Sequence, residues 1–295
     1  MSIINTLKFI LSHQLTRKNR INALIRFIKW QIGSRLNPYP VVYPFVEDTY
    51  LVVERGMTGA TGNLYTGLHE FSDMGFLLHF LREDDLFVDV GANIGSYSIL
   101  ASGVCKAKTI AIEPSTVTYN RLMRNVRVNG LESLITTLNI GLGGENTSMF
   151  FTKSLDTINH IVTDAESIGE KEKIDIITLD SIIINVNQPL LLKIDVEGFE
   201  AQVLKGATHT LSNPNLKAII IELNGSGLRY SYNEDDIRMQ LKEAGFRSFS
   251  YNPFSRNLTR KSTNLNHNEL YIRDNEFIMD RIINSKKINI LNNSF

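Results

Sequence analysis

One acid and two glycines stand close together in residues 87–95, which have the sequence FVDVGANIG. Glycine lets the backbone approach a ligand closely because no Cβ intervenes. An acid that precedes the first glycine repels a pyrophosphate, whereas it attracts the ammonium group of a bound amino acid. The residues Asp89, Gly91, Asn93 and Gly95 therefore form a candidate cofactor-binding loop.

A second carboxylate, Glu113, ends the next apolar run, TIAIE at residues 109–113. In open α/β sheets, ligands bind outside the carboxyl ends of the strands, so Glu113 is placed where a ribose would lie. A carboxylate there can accept hydrogen bonds from both ribose hydroxyls, which favours an adenosine cofactor without a 2′-phosphate. S-adenosylmethionine carries both an ammonium group and a ribose, so Asp89 could bind the ammonium group and Glu113 the ribose hydroxyls.

The spacing of the loop differs from the fingerprints of other nucleotide sites. A dinucleotide site has G-x-G-x-x-G, with the pyrophosphate at a helix N-terminus. Here the pattern is Asp89-x-Gly91-x-x-x-Gly95, and no Gly-Lys-Ser/Thr of a Walker loop follows it. A nicotinamide oxidoreductase and a glycine turn with incidental acids are the alternatives. A further alternative is a catalytically silent module that binds the cofactor in an assembly, although the intact Asp89 and Glu113 argue against a lost site.

Three more acids follow two later apolar runs. Asp195 and Glu197 lie in KIDVEGFE at residues 193–200, and Glu222 closes AIIIE at residues 218–222. Burying several like charges is costly unless they are neutralised, so these acids suggest a functional role. They could bind or deprotonate an acceptor hydroxyl or hold a divalent cation such as Mg²⁺. A structural role is the third alternative, in which Glu197 or Glu200 caps a helix N-terminus. We expect Asp195, Glu197 and Glu222 to handle the acceptor, and we do not assign a metal.

The elements that must position these residues alternate along the chain after residue 86. Short apolar runs such as LFVDV, IITL, LLLKID and AIIIEL predict parallel strands covered on both faces. Residues 115–129, 199–211 and 234–244 have the pattern of helices. SFSYN and LYIR, which flank a polar stretch, could pair antiparallel at the sheet edge. The pattern predicts a doubly wound α/β sheet.

The blocks FVDVGANIGSYSILAS, AIEPS, ITLDSI, LLKIDVEGFEAQVLKGA and IIIELN occur in this order. On these blocks the chain resembles the FkbM family of class I, Rossmann-like methyltransferases. The resemblance implies a seven-stranded sheet with one antiparallel strand, S-adenosylmethionine as methyl donor, and O-methylation of a sugar, macrolide or other secondary metabolite. It also suggests that Glu70, which precedes the first strand, faces the cofactor pocket.

Bulk composition sets wider limits. The formal net charge is zero, which argues against a nucleic-acid partner. A single cysteine, Cys105, excludes an internal disulfide and a cysteine metal cluster. We identify no signal peptide, so the cytoplasm is the expected compartment, with peripheral membrane contact as an option. The expected partner is a small-molecule or glycan hydroxyl acceptor, and a homodimer is a further option.

The first 46 residues contain seven Lys or Arg and no acid. Ile21, Leu24, Ile25, Ile28 and Ile32 recur at helical spacing, and three prolines then mark a linker. The preferred interpretation is a helical extension whose apolar stripe is buried on the core or on a second subunit. A basic surface for anionic lipid or a lipid-linked acceptor is the alternative. The predicted segments are the extension at 1–46, the methyltransferase domain at 47–274 and a helical tail at 275–295.

Overall fold

The computed structural model describes residues 3–152, 159–162, 170–184, 186–188, 190–261 and 268–295. Its α-helices pack on both faces of the large sheet, in two apolar clusters. In chain order they are α1 (Ile3–Ser12), α2 (Arg20–Leu36), α3 (Thr58–Thr66), α4 (Phe71–Phe80), α5 (Ser96–Ile99), α6 (Thr116–Val128), α7 (Leu179–Ile182), α8 (Glu200–Lys205), α9 (Thr208–Ser212), α10 (Glu234–Glu243) and α11 (Asn275–Ile283).

The strands of the described residues form one large sheet and three small ones. In chain order they are β1 (Val41–Pro44), β2 (Tyr50–Val53), β3 (Leu86–Val90), β4 (Lys108–Ile112), β5 (Ile135–Leu138), β6 (Gly141–Leu142), β7 (Thr147–Thr152), β8 (Lys171–Ile177), β9 (Leu190–Ile194), β10 (Leu216–Glu222), β11 (Arg247–Asn252), β12 (Asn257–Arg260), β13 (Asn268–Ile272), β14 (Asn289–Ile290) and β15 (Asn293–Ser294).

The large sheet has the order β12-β11-β13-β10-β9-β3-β4-β5. Strands β10, β9, β3, β4 and β5 are parallel, and β13 pairs antiparallel with β10. Every residue of β3 and β9 is buried, as expected for strands covered by helices on both faces. This confirms the predicted doubly wound, mostly parallel α/β fold. The antiparallel pairing of β11 with β13 is confirmed as well.

The described sheet has eight strands instead of the seven that the resemblance implied. The extra strand is β12, which lies within the polar stretch that follows SFSYN. It pairs antiparallel with β11 through a tight hairpin, from Asn252 opposite Asn257 to Phe249 opposite Arg260. Backbone pairing at a solvent-facing edge does not require apolar side chains, so hydrophobic patterning could not reveal this strand.

Two other sequence predictions were wrong in detail. The run IITL at residues 176–179 does not join the large sheet, because β8 pairs with β6 and β7 in a separate small sheet. The single helix predicted over residues 199–211 is divided into α8 and α9. The break falls at Gly206, where a Cβ would lie 2.1 Å from the carbonyl oxygen of Gly143. The carboxylate of Asp180 then caps α9 by accepting from the backbone of His209 and Thr210.

The N-terminal helices pack on the core, but the predicted face of α2 is not the buried one. Ala23 and Phe27 are buried, and the Phe27 ring lies edge-on to Tyr65 with centroids 5.3 Å apart. The Arg26 guanidinium donates to the carbonyl oxygen of Tyr65 at 2.8 and 3.1 Å. The predicted isoleucine stripe lies on the opposite side and faces outward, with Leu24 only partly buried. The contacts of the Phe27 ring and the Arg26 guanidinium, and not the isoleucine stripe, determine which face of α2 packs on the core.

The segments that flank the central domain are more ordered than their sequences suggest. The proline-containing segment includes β1, which pairs antiparallel with β2. The predicted helical tail begins with α11 and continues into the β14–β15 hairpin, and Phe295 is buried against Phe71 at 5.0 Å between ring centroids. The boundaries at residues 46 and 274 stay a prediction. No helix among the described residues is both long and apolar enough to cross a bilayer.

Candidate functional site

A cavity of about 310 Å³ opens at the carboxyl ends of the parallel strands. Strand register brings these ends together: Val90 of β3 lies opposite Ile112 of β4 on one side and opposite Ile194 of β9 on the other. The residues that follow each strand therefore converge on one crevice. Of the predicted site residues, those lining the cavity are Glu70, Gly91, Asn93, Glu113, Asp195, Glu197 and Glu222.

The loop after β3 depends on glycine at two positions. Gly91 has φ +76°, and a Cβ added there would lie 1.8 Å from the carbonyl oxygen of Asp195. The loops after β3 and β9 thus touch through backbone at this point. Gly95 has φ +86° and precedes α5, and a Cβ there would meet Leu122 at 2.4 Å. Gly95 does not line the cavity, so it shapes the loop from behind.

Asp89 lies behind the loop and is not among the lining residues. Its carboxylate is buried and accepts from the Ser98 hydroxyl at 2.7 Å, which ties β3 to α5. The other carboxylate oxygen, Oδ1, is buried without a partner among the described residues. Burial raises the pKa of Asp89, and the nearby Lys193 ammonium opposes that shift.

Glu113 lines the cavity at the end of β4 and is held by backbone donors. Its Oε2 accepts from the Asn93 N–H at 3.0 Å, and its Oε1 accepts from the Ser115 N–H at 2.9 Å. Burial raises the pKa of Glu113 to about 7, while these two hydrogen bonds lower it. A carboxylate oxygen has two acceptor positions. Both oxygens can therefore accept a further hydroxyl from the cavity.

Asp195, Glu197 and Glu222 form an acidic cluster, in which one carboxylate oxygen from each lies within 4.8 Å of the others. Glu197 adopts a left-handed backbone conformation, with φ +53°, in the loop after β9. Burial and the neighbouring acids raise the pKa of Glu197 to about 7 and that of Glu222 to about 9. Glu222 also hydrogen-bonds Asp195. Burial and the neighbouring acids thus favour the protonated form of Glu222.

Lys193 places a buried ammonium group beside these acids. Its Nζ lies 2.8 Å from Asp195 Oδ2 and 5.0 Å from the centroid of the Tyr97 ring. Burial alone would lower the pKa of Lys193, but the charges of Asp195, Asp89 and Glu70 raise it above its ordinary value. Among the described residues that line the cavity, Lys193 is thus the one permanent cation beside a larger number of carboxyl groups, and this excess of acids favours a cationic ligand.

Glu70 precedes α4 at the cavity wall and contacts side chains of α5 and β13. Its carboxylate accepts from the Tyr97 hydroxyl at 2.7 Å and from the Asn268 amide at 2.8 Å. Asp73, one turn further along α4, accepts from the same Asn268 amide at 3.2 Å. Burial and the charge of Glu70 raise the pKa of Asp73 to about 7.

Several lining residues were missed by the sequence analysis. Lys193 stood within the quoted KIDVEGFE block without an assigned role, and a lysine inside an apolar strand is an unusual feature that could have drawn attention. Tyr97, which lines the cavity, and Asn268, which contacts Glu70 without lining the cavity, carried no such signal, because only the tertiary fold brings them to Glu70. The small sheet supplies an apolar wall that patterning did not predict, formed by Leu142, Phe151 and Ile176.

The fold and the cavity define a Rossmann-like α/β protein with a nucleotide-type site at the carboxyl edge of its sheet. The model of the methyltransferase FkbM domain matches residues 89–248, more than half of the 295 residues. The chain belongs to the FkbM methyltransferase family. The matched range includes the glycine loop, Glu113 and the acidic cluster, and it excludes the N-terminal helices.

Two curated relatives share part of the sequence. The hexuronic acid methyltransferase AglP of Haloferax volcanii is 33% identical over 152 residues, which cover 50% of this chain and 59% of that protein. Methyltransferase 1 of Beauveria bassiana is 27% identical over 148 residues, which cover 42% of this chain and 59% of that protein. The chain thus spans less than two thirds of the length of either relative.

Solved structures give more distant matches. The methyltransferase FkbM of Methylobacillus flagellatus is 18% identical, with a TM-score of 0.45, over 85% of this chain and 60% of that chain. The TrmK protein of M. capricolum, solved with S-adenosyl-homocysteine, is 12% identical, with a TM-score of 0.37, over 68% of this chain and 66% of that chain.

Proposed function

We propose that this protein is an S-adenosylmethionine-dependent O-methyltransferase that acts on a hydroxyl group of a sugar or secondary metabolite. The observation that carries the proposal is the pairing of a backbone-lined glycine loop with a buried carboxylate, Glu113, at the end of the next strand. The FkbM domain match over the same residues supports it.

The cavity residues fit such a cofactor. Gly91 lines the cavity with backbone and allows the loops after β3 and β9 to touch, and both Glu113 oxygens retain acceptor positions for the two ribose hydroxyls. The excess of acids suits a ligand that carries a sulfonium and an ammonium group. When bound, the cofactor supplies an electrophilic methyl group. Asp89, which lies behind the loop, acts in this proposal through Ser98 and through its charge next to Lys193 instead of by direct contact.

The acidic cluster handles the acceptor in this proposal. Methyl transfer to oxygen requires the acceptor hydroxyl to be aligned and finally to lose its proton. A carboxyl whose pKa is raised to about 7 is a stronger base than an ordinary one and is still partly ionised at neutral pH, so Glu197 is suited to take that proton. Glu222, whose pKa is raised further, keeps its own proton and contributes by its hydrogen bond to Asp195. Asp195, fixed by Lys193, positions the hydroxyl. The name of AglP, a hexuronic acid methyltransferase, suggests a sugar as the acceptor.

The test combines binding and turnover. We expect calorimetry to detect S-adenosylmethionine binding and no comparable binding of NAD or NADP. We then expect methyl transfer from labelled cofactor to a host glycan or lipid extract. Cofactor binding without transfer to any hydroxylated extract would favour the silent module, and a rise of the melting temperature only with a nicotinamide nucleotide would favour an oxidoreductase.

We also propose that catalysis does not require a divalent cation. The three acids could serve as oxygen ligands for Mg²⁺. However, the Lys193 ammonium already lies against Asp195, and a second cation there would be repelled. We expect chelation with EDTA to leave the methyl-transfer rate largely unchanged. Full loss that Mg²⁺ restores would reassign Asp195 and Glu222 as metal ligands.

A further inference from the structure

Helix α2 presents a continuous apolar stripe to solvent. Ile21, Ile25, Ile28 and Ile32 are 72%, 43%, 52% and 55% exposed. An α-helix turns by about 100° per residue, so these four side chains fall within roughly 60° of one another. Leu36, which is 81% exposed, extends the same line. The stripe from Ile21 to Leu36 is about 22 Å long at 1.5 Å per residue.

The stripe is fully separate from the face that holds α2 in place. Ala23 and Phe27, which are buried, point to the opposite side of the helix, and Arg26 bonds the carbonyl of Tyr65 at the end of α3. Docking of α2 on the core therefore does not use the isoleucines. An exposed apolar surface of this kind is costly in water and marks an interaction site.

The charge around the stripe indicates the kind of surface that would cover it. Residues 1–46 carry seven basic residues and no acid. Six of these side chains are exposed: Arg20, Lys29 and Arg35 lie on α2 itself, and Lys8, Arg17 and Lys18 lie in α1 and in the turn that precedes α2. A helix with apolar residues along one face and Lys or Arg beside them is typical of helices that lie in the interface of an anionic membrane. The bilayer would accept the isoleucines, and its phosphates would attract the cations.

A second copy of the chain would cover the stripe less well. In a symmetric pairing each α2 would face the other, so the same patch would meet itself. Two sets of basic side chains would then lie close together with no acid in the segment to neutralise them. Like charges across an interface oppose association.

We infer that the exposed isoleucine face of α2, together with the surrounding basic residues, is a docking surface for a membrane that contains anionic lipid. This inference is independent of the proposed function, because none of these residues lines the main cavity. Helix α2 packs on α3 with its other face, and α3 contributes Thr58 and Asn63 to the cavity wall. In the docked protein, one layer of helices would separate the cavity from the membrane-facing side of α2.

The test is co-sedimentation of the full chain with vesicles of phosphatidylcholine, with and without phosphatidylglycerol. We expect binding to vesicles that contain phosphatidylglycerol, weak binding to pure phosphatidylcholine, and a loss of binding as salt screens the charges. The triple variant I25Q/I28Q/I32Q should bind anionic vesicles at least about tenfold more weakly, because the apolar contribution is removed. The triple variant R17Q/R20Q/K29Q should lose a similar factor and about half of the salt dependence, because three of the six exposed basic side chains remain.

A matched control replaces three exposed apolar helical residues elsewhere, in V117Q/M239Q/I283Q. It should bind vesicles like the wild type, and all three variants should keep the wild-type melting temperature and cofactor affinity. Equal vesicle binding by wild type and I25Q/I28Q/I32Q would overturn the inference. A second result would also overturn it: analytical ultracentrifugation shows a salt-insensitive dimer of the wild type, I25Q/I28Q/I32Q is monomeric, and the wild type does not bind vesicles.

Discussion

At the scale of single residues, Glu113 is the group on which cofactor recognition depends most directly. Its two oxygens are fixed by the Asn93 and Ser115 N–H groups, and the residue lines the cavity. We expect Glu113→Gln to weaken S-adenosylmethionine binding by about 1.5–3 kcal/mol, since an amide offers one acceptor oxygen in place of two. Isothermal titration calorimetry measures this. Glu132→Gln, at an exposed position, should bind the cofactor like the wild type. If Glu113→Gln bound the cofactor as tightly as Glu132→Gln, Glu113 would not be a cofactor contact.

Glu222 gives a prediction on stability. Its pKa in the folded protein is raised from 4.5 to about 9. Such a group contributes its full stability below about pH 4.5, and this contribution is lost as the pH rises toward 9. Glutamine cannot ionise, so the melting temperature of Glu222→Gln should rise relative to the wild type over that range.

Thermal unfolding at a series of pH values measures this effect. Glu243→Gln, on the exposed side of α10, is the control and should show a constant difference from the wild type. Parallel curves for Glu222→Gln and the wild type would show that Glu222 does not hold a proton in the folded protein.

At the scale of elements, the close approach of the loops after β3 and β9 determines the shape of the cavity. Gly91→Ala forces a Cβ to within 1.8 Å of the Asp195 carbonyl oxygen. We expect it to destabilise the fold by about 2–4 kcal/mol and to abolish cofactor binding, because backbone must move. Chemical denaturation and calorimetry measure the two effects.

Gly130 provides a matched control for this substitution. Its φ is also positive, at +63°, but a Cβ there would meet nothing within 4 Å. Gly130→Ala should therefore cost only about 1 kcal/mol, from the backbone conformation alone. If the two variants lost equal stability, close approach at Gly91 would not be the cause.

Elements were predicted well where hydrophobic patterning dominates. The buried strands β3, β9 and β10 and the helix α6 were confirmed because their side chains face the core on a regular period. The division of α8 from α9 was not predicted, because it depends on the contact of Gly206 with Gly143, a residue far away in the sequence. Patterning records which residues are buried, and it does not record which segments meet.

At the scale of the whole molecule, the N-terminal helices are attached to the core by the Phe27 face of α2. Phe27 is 8% exposed and packs on Tyr65, whereas its neighbour Ile28 is 52% exposed. We expect Phe27→Ala to lower the free energy of unfolding by about 3 kcal/mol. Ile28→Ala should change it by less than about 0.5 kcal/mol. Denaturant titration of the two variants compares them directly, and the reverse ranking would show that the isoleucine stripe is the buried face.

The sequence by itself determined the class of fold, the glycine loop after β3 and the acids that follow β4, β9 and β10. These features depend on the chemistry of residues and on their order along strands, which local patterning records. Only the tertiary structure decided which predicted residues reach the cavity: Glu113 and the acidic cluster do, whereas Asp89 and Gly95 lie behind the loop. It also placed Lys193 at Asp195 and turned the isoleucines of α2 outward. An apolar stripe shows that a face needs a partner, but the competing contacts of Phe27 and Arg26 determine which side of the helix meets the core.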